Sequence, residues 1–353
     1  MPGIVLPPFP EDVPTSTLLV IDYAKIKAGD PEEIDTLWTA ATELGFWYLK
    51  NHGAEEEVDG MFDMGAETMA LPSEEKMKFE QGNDGLSFGY KYAGSYMADH
   101  EGTPDTSEFI NVARDDALGW PTVRHRTYPS TVNARMESTV RPFIRKAVDV
   151  TTVLFGVFDK KLGLPEGTFA SLHAPDQETT SESRCIRSLQ TSPGKAALAP
   201  HTDFGSLSFL HNRLGGLQVL PVGSQEWQYV KPLPGHAICN IGDAVTIFSG
   251  GILHSNLHRI VSPPKPQTST ERWSVAYFAR PNSAAVLEPF SEQSSLIAES
   301  AAKAPEGKYN PGVTAGEWFA RRIRAARLPN RKGLQSWDAG QGMEWQNQKL
   351  KAQ

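Results

Sequence analysis

The sequence predicts an α+β protein: a double-stranded β-helix (jelly roll) core backed by helices, with an N-terminal α/β extension and a C-terminal helix. Three observations carry this. Between residues 205 and 280, short apolar runs alternate with Gly, Pro and Asp turns, the texture of several short strands at even spacing. Ahead of them, apolar residues recur at helical spacing from Pro129 to Leu162. Capping signals near both ends mark further helices.

Taken in order, Leu18 to Tyr23 reads as a short buried strand. Asp30-Pro31-Glu32-Glu33 then supplies an N-cap, a proline at the first helical position and an acidic third residue. The helix that starts there places Ile34, Leu37, Trp38, Ala41 and Leu44 on one face, and Gly45 ends it before a strand over 46–49. Helices over about 54–70 and 73–80 are split by Leu71-Pro72, because the residue before a proline is pushed out of the helical region. From Pro129, a stripe of Val140, Phe143, Ile144, Ala147, Val150, Val153, Leu154 and Phe158 predicts a long helix, with Pro142 forcing a kink or a restart. Strands are expected at 207–210, 217–220, 227–230, 245–248, 257–261 and 273–278, and low-order segments at 99–107, 175–184 and 263–271. Thr314-Ala315-Gly316-Glu317 is a capping box opening a helix through about Arg327, followed by a polar tail of uncertain order.

The composition is that of an ordinary globular protein: 353 residues, 39% hydrophobic and 22% charged, enough for a sizeable core. With 34 basic against 42 acidic side chains the net charge is -8, which gives no general electrostatic reason to bind nucleic acid or an anionic membrane. Any anionic ligand therefore needs a local basic pocket. No run of eighteen apolar residues occurs and the first residues lack a basic start, so a cytoplasmic protein acting on a small molecule is expected, with its oligomeric state open. Cys185 and Cys239 show no Cys-x-x-Cys spacing and read as reduced, buried thiols.

Chemistry concentrates in three short stretches. His201 and Asp203 stand two apart in Pro-His-Thr-Asp-Phe-Gly, a spacing that puts both side chains on one face of a strand with Thr202 on the other. Alone, such a triplet is more often a surface loop or a satisfied core histidine. His258, in Leu-His-Arg-Ile-Val, follows after enough strands for a sandwich to fold back and set it beside the first pair; His254 is its local competitor, and reads as a loop residue. Two imidazoles and one carboxylate on one face of a metal leave three positions open, the arrangement of non-heme Fe(II) oxygenases rather than of a closed structural zinc site. Arg272 and Ser274, again two apart, aim a guanidinium fork and a hydroxyl at one point, which suits a buried carboxylate.

With these residues in hand, the chain resembles the Fe(II)/2-oxoglutarate-dependent dioxygenases of the isopenicillin-N-synthase-like family. The resemblance covers most of the chain: the stretch from Gly45 to Gly53, the Leu71-Pro72 break, His-Thr-Asp, Gly215-Gly216-Leu217-Gln218-Val219, Asn240-Ile241-Gly242-Asp243, His-Arg-Ile and Arg-x-Ser. It implies that His201, Asp203 and His258 are catalytic ligands of Fe(II), that Arg272 and Ser274 hold the distal carboxylate of 2-oxoglutarate, and that O2 is the other cosubstrate. It further implies oxidative decarboxylation to succinate coupled to C–H oxidation (hydroxylation, desaturation or cyclisation) of a small organic metabolite. One departure stands out. Relatives carry an aromatic hydroxyl just ahead of the first ligand, where this chain reads Arg187-Ser188-Leu189-Gln190-Thr191-Ser192-Pro193, leaving Thr191 or Gln190 as the substitute contact to the cosubstrate.

The same resemblance places substrate-facing groups around Tyr90, Tyr92, Phe109 and Asn111, with Phe204 and Phe248 as further wall candidates; an aromatic core patch is the competing account. His52, in an Asn-His-Gly turn, reads as structural. The chain divides into an N-terminal dioxygenase-type region (1–128), helical backing (129–175), the jelly-roll catalytic region (180–285) and a C-terminal helix and tail (286–353), all in one compact unit. Two alternatives remain at this point: an isopenicillin-N-synthase-like oxidase that does not use 2-oxoglutarate, and a non-catalytic metal-binding jelly-roll protein.

Overall fold

Side chains alternate across a β-strand, so a sheet with helices on one face and a second sheet on the other needs apolar residues on the first face and is free to place chemistry on the second. The structure, a computed structural model that describes residues 6–189 and 196–342, is built this way. Its strands are β1 (Leu19–Asp22), β2 (Phe46–Lys50), β3 (Gly89–Lys91), β4 (Ser107–Ala113), β5 (Glu182–Ser188), β6 (Ala196–His201), β7 (Leu207–Asn212), β8 (Leu217–Val219), β9 (Gln228–Tyr229), β10 (His236–Ile241), β11 (His258–Val261) and β12 (Arg272–Ala279). The larger sheet runs β1-β2-β10-β7-β12-β5-β4-β3 and the smaller β6-β11-β8-β9. Only the β1–β2 pair is parallel among these.

The helices are α1 (Tyr23–Ala28), α2 (Pro31–Glu43), α3 (Glu55–Met69), α4 (Ser73–Met77), α5 (Arg114–Gly119), α6 (Ser130–Ala134), α7 (Arg141–Leu162), α8 (Thr168–Leu172), α9 (Asp243–Phe248), α10 (Ser295–Ala302), α11 (Ala315–Ala326) and α12 (Leu334–Gln341). Helix α2 starts as its sequence dictates, with the Asp30 carboxylate accepting from the backbone N–H groups of Glu32 and Glu33, each at 3.1 Å. The α7 stripe of Phe143, Ile144, Ala147, Val150, Leu154 and Phe158 is buried against Trp47, Phe209, Val275 and Tyr277 of the larger sheet. Each such large apolar side chain contributes about 1.5–3 kcal/mol by leaving water. That helical layer holds one face of the sheet rigid while the opposite face meets the smaller sheet.

Several expectations are corrected. Residues 245–248 are not a strand but lie within α9; a four-residue apolar run does not distinguish the two, and here the acidic Asp243 opens a helix directly after Gly242. Tyr23 belongs to the short α1, whose N-cap Asp22 accepts from Ala24 N–H at 3.1 Å. Pro142 falls in the first turn of α7, after a π-turn over Met136–Val140, so the helix restarts rather than kinks. The low-order segment at 175–184 ends inside β5 and that at 99–107 touches β4, while the polar tail contains α12. Both cysteines are free and buried, and among the described residues no helix is long and apolar enough to cross a membrane.

Candidate metal centre and its cavity

Strands β6 and β11 are antiparallel neighbours, and their register sets His201 directly opposite His258, with ring centroids 4.2 Å apart. β6 ends at His201, and two residues on Asp203 still returns to the same side. Its Oδ1 lies 3.7 Å from Nε2 of each histidine. One donor atom from each of the three lies within 4.8 Å of the others. Bonds of about 2.0–2.2 Å to nitrogen and oxygen let one ion reach all three after small side-chain adjustments. Thr202 points the other way, its hydroxyl donating to Asp243 at 2.9 Å.

Each ligand is oriented by a second contact. His201 Nδ1 is 2.8 Å from the Ala199 carbonyl and His258 Nδ1 3.1 Å from the Asn256 carbonyl. A proton on Nδ1 leaves the lone pair on Nε2, facing the Asp203 carboxylate. Asp203 Oδ2 accepts from Asn240 Nδ2 at 2.8 Å and from the Ser208 hydroxyl at 2.5 Å, which leaves Oδ1 to the imidazoles. Burial pushes His201 down to about 3, with His258 beside it acting in the same direction. Burial would raise the Asp203 carboxyl, but the two imidazoles and the Asn240 and Ser208 hydrogen bonds outweigh it and carry it down to about 2. An ionised carboxylate beside an uncharged imidazole is the state in which these groups bind a divalent cation.

Arg272 and Ser274 project from β12 into the space between the sheets. The buried guanidinium donates from Nε to the Gly215 carbonyl at 2.8 Å and from Nη1 to Ser274 Oγ at 2.8 Å. Its Nη2 has no partner, and burial pushes it down to about 10. Gly216, at φ 107°, lets the chain approach this group: a Cβ there would sit 2.6 Å from the Val261 carbonyl and 3.1 Å from Arg272 Nε. Among the described residues no carboxylate pairs with Arg272. A desolvated cation with an unused donor is completed by an anion, and a carboxylate fits the fork.

Triad and guanidinium share one cavity of about 120 Å³ between the sheets, with Phe109 and Phe204 among its walls. The other four residues expected to face substrate, Tyr90, Tyr92, Asn111 and Phe248, do not line it. Tyr90 donates to Glu108 at 2.5 Å, Asn111 shares the Phe109 face of β4 and accepts from the lining Arg184 Nε at 2.8 Å, Phe248 stacks on Phe290 in the core at 4.9 Å, and Tyr92 packs beneath Arg327. Thr191 and Gln190 lie outside the described residues. His254 stays out of the triad. His52 is on the far side of β7, edge-on to Phe209 and His211, with Nδ1 accepting from Ala54 N–H at 3.2 Å.

Sequence reasoning missed Arg322 of α11. Fully buried, it donates to Asp243 Oδ2 at 2.6 Å and to the Thr202 carbonyl at 2.9 Å, with the Phe204 ring 4.5 Å from its guanidinium carbon. The C-terminal helix thus grips the turn between His201 and Asp203. In that helix, the only signal was an arginine spaced to share a face with Trp318 and Phe319, which are buried with it.

Residues 177–281 match the model of the 2OG-Fe(II) oxygenase superfamily, and residues 18–133 match that of the non-haem dioxygenase in morphine synthesis N-terminal region. The 2-oxoglutarate-dependent dioxygenase frbH of Dothideomycetidae sp. (strain 11243) is 29% identical over 283 residues, covering 78% of this chain and 86% of its own. Homoarginine-6-hydroxylase 2-ODD-233 of Oryza sativa subsp. japonica is 29% identical over 275 residues, covering 72% and 80%. A full-length Neurospora crassa protein, solved in complex with alpha-KG, shares the fold with a TM-score of 0.70 at 23% identity, over 90% of this chain and 99% of that one. The chain belongs to the 2OG-Fe(II) oxygenase superfamily and is an Fe(II)- and 2-oxoglutarate-dependent dioxygenase.

Proposed function

We propose that His201, Asp203 and His258 hold the Fe(II), that Arg272 and Ser274 anchor the distal carboxylate of 2-oxoglutarate, and that the prime substrate is a small organic molecule bound in the cavity between the sheets. The observation that carries this reading is the buried Arg272 guanidinium, with an unpartnered Nη2, in the same cavity as the three ligands. When bound, iron, 2-oxoglutarate and O2 supply an oxidant able to break an unactivated C–H bond, with succinate and carbon dioxide as coproducts.

The residues of the chain position and exclude. Asn240 and Ser208 fix the Asp203 carboxylate so that one oxygen alone is offered to the metal. Phe109, Phe204 and Phe278 keep water from the reacting carbon while leaving its identity to shape. Phe204 also leans on Arg322, so the wall and the turn between His201 and Asp203 share one support. A cytoplasmic setting is part of this reading, supported by two free thiols.

Purified protein given Fe(II), 2-oxoglutarate, O2 and a library of small metabolites is expected to release succinate in proportion to oxidised product, and the Asp203→Ala protein is not. Product formation without any 2-oxoglutarate would instead support an oxidase that draws all its electrons from the substrate. Wild-type protein that consumes neither oxygen nor 2-oxoglutarate with any compound would sink the proposal.

A further inference from the structure

A second basic pair lies in the cavity, and neither metal nor cosubstrate accounts for it. Arg184 of β5 and Arg280, just past β12, both line the cavity. Both donate to the same oxygen of Glu182, from Nη2 at 2.7 Å and from Nη2 at 3.1 Å. The other Glu182 oxygen accepts from the Ser87 hydroxyl at 2.5 Å. The remaining contacts are neutral: Arg184 Nε donates to Asn111 at 2.8 Å, and Arg280 Nη1 to the Thr180 carbonyl. Arg280 Nε has no partner at all, although its side chain is only 5% exposed.

Two guanidiniums sharing one carboxylate leave one positive charge in surplus. The rest of the site does not cancel it. A ferrous ion, the Asp203 carboxylate, the two carboxylates of 2-oxoglutarate and the Arg272 guanidinium sum to zero among themselves. Nor is the surplus dispersed into water. The Arg184 guanidinium lies between Phe109 and Phe278 at 4.1 and 4.8 Å, and that of Arg280 lies 4.6 Å from Phe319 and 5.3 Å from Phe278. Ring faces offset part of the cost of a desolvated cation but do not replace a counter-charge.

The pair is also spatially distinct from the cosubstrate anchor. On the β5–β12 ladder Arg272 stands opposite Ser188 and Arg184 opposite Ala276, four residues further along, or about 13 Å at 3.3 Å per residue. One 2-oxoglutarate chelating the metal and held at Arg272 leaves the Arg184–Arg280 end for another molecule.

We infer that the prime substrate carries a carboxylate, which completes the Arg184–Arg280 pair, on an apolar body that packs against Phe109, Phe204 and Phe278. The inference rests on the proposed assignment of 2-oxoglutarate to Arg272. It makes Arg184 a residue that selects substrate by charge and leaves the outcome at the oxidised carbon to pose.

The test is anaerobic calorimetry on Fe(II)-loaded protein saturated with 2-oxoglutarate. The probes are phenylacetate, 3-phenylpropanoate, 4-phenylbutanoate and indole-3-acetate, each beside its primary amide. At least one acid is expected to bind tenfold or more tightly than its amide, with the gap falling below threefold in Arg184→Met while 2-oxoglutarate affinity is unchanged. Arg184→Lys, which keeps the charge, is expected to retain a preference for acids and serves if the methionine variant does not fold. Amides binding as well as acids throughout, or an acid preference that survives Arg184→Met, overturns the inference. So does competition between the acids and 2-oxoglutarate, which would make this pair the cosubstrate's own anchor. Wild-type protein that fails to bind 2-oxoglutarate in the first titration removes the functional reading itself, a result separable from the others.

Discussion

Replacing Arg322 by methionine tests whether the C-terminal helix holds the metal site together. The substitution keeps most of the apolar stem and deletes a buried guanidinium that bonds the Asp243 carboxylate at 2.6 Å and the Thr202 carbonyl at 2.9 Å. Asp243 is then left with the Thr202 hydroxyl alone, in a setting where its side chain is only 16% exposed. Breaking one side of a buried ion pair costs about 3–5 kcal/mol, and the residual exposure of Asp243 places this case near 3 kcal/mol. Thr202 lies between two ligands, so releasing its carbonyl loosens both, and metal affinity is expected to fall about tenfold. Urea unfolding of Arg322→Met, Asp243→Asn and the double variant measures the stability term and its coupling, and Co(II) titration measures the affinity. A coupling of about 2 kcal/mol is expected. Additivity within about 0.5 kcal/mol, or unchanged Co(II) affinity in Arg322→Met, would refute the clamp.

Three further outcomes follow from the same structure. Arg272→Met is expected to raise half-saturating 2-oxoglutarate at least about thirtyfold, from the 2 kcal/mol or more lost when one partner of a buried charged pair is removed; a change under threefold in steady-state succinate release contradicts the anchor. Metal-free protein should lose stability on acidification, because burial holds His173 at about 4 and His201 at about 3, and burial also pushes His211 well down. Groups with lowered folded values bind protons first in the unfolded chain, so stability is full above the ordinary histidine range and drains as pH falls below it; between pH 7.5 and 5.5 His173 and His201 together remove about 3 kcal/mol, and a flat denaturation midpoint across that window would contradict their burial as neutral rings. Gly242→Ala drives a Cβ to 2.2 Å from the Gly205 carbonyl and 3.1 Å from that of Asp203, so it is expected to cost about 1–3 kcal/mol and weaken metal binding, whereas Gly156→Ala, with open space around it in α7, stays neutral or stabilises by about 1 kcal/mol; equal effects in thermal melts of the two variants would remove the close-approach argument.

The convergence of His201, Asp203 and His258 and of Arg272 with Ser274 was legible because their spacing is itself structural: residues two apart share a face, and a strand pair then needs only the right register to join His201 to His258. Strands β4 and β5 were not legible, and the reason is the site. Along β5, Glu182, Arg184 and Ser188 turn polar atoms inward while Cys185 faces α3, so the alternation that marks a half-buried strand is masked by a polar cavity on the face that would otherwise be apolar. The same masking hid Arg280 and Glu182 as a pair, since their meeting depends on β12 lying beside β5. Helix α9 failed for the opposite reason: Val245, Ile247 and Phe248 carry β-favouring side chains, and only tertiary burial in the helical core settles their conformation. Of the six wall candidates the sequence offered, Phe109 and Phe204 line the cavity and Tyr90, Tyr92, Asn111 and Phe248 do not, because an aromatic residue looks the same in a core as in a cavity.

Anomalous diffraction at the iron edge, on crystals loaded anaerobically with Fe(II) and 2-oxoglutarate, tests the metal assignment most directly. A single peak is predicted about 2.0–2.2 Å from His201 Nε2, Asp203 Oδ1 and His258 Nε2, with the distal carboxylate of the cosubstrate against Arg272 and Ser274. A peak bonded to any other set of side chains, or a cosubstrate carboxylate seated on Arg184 instead, would contradict it.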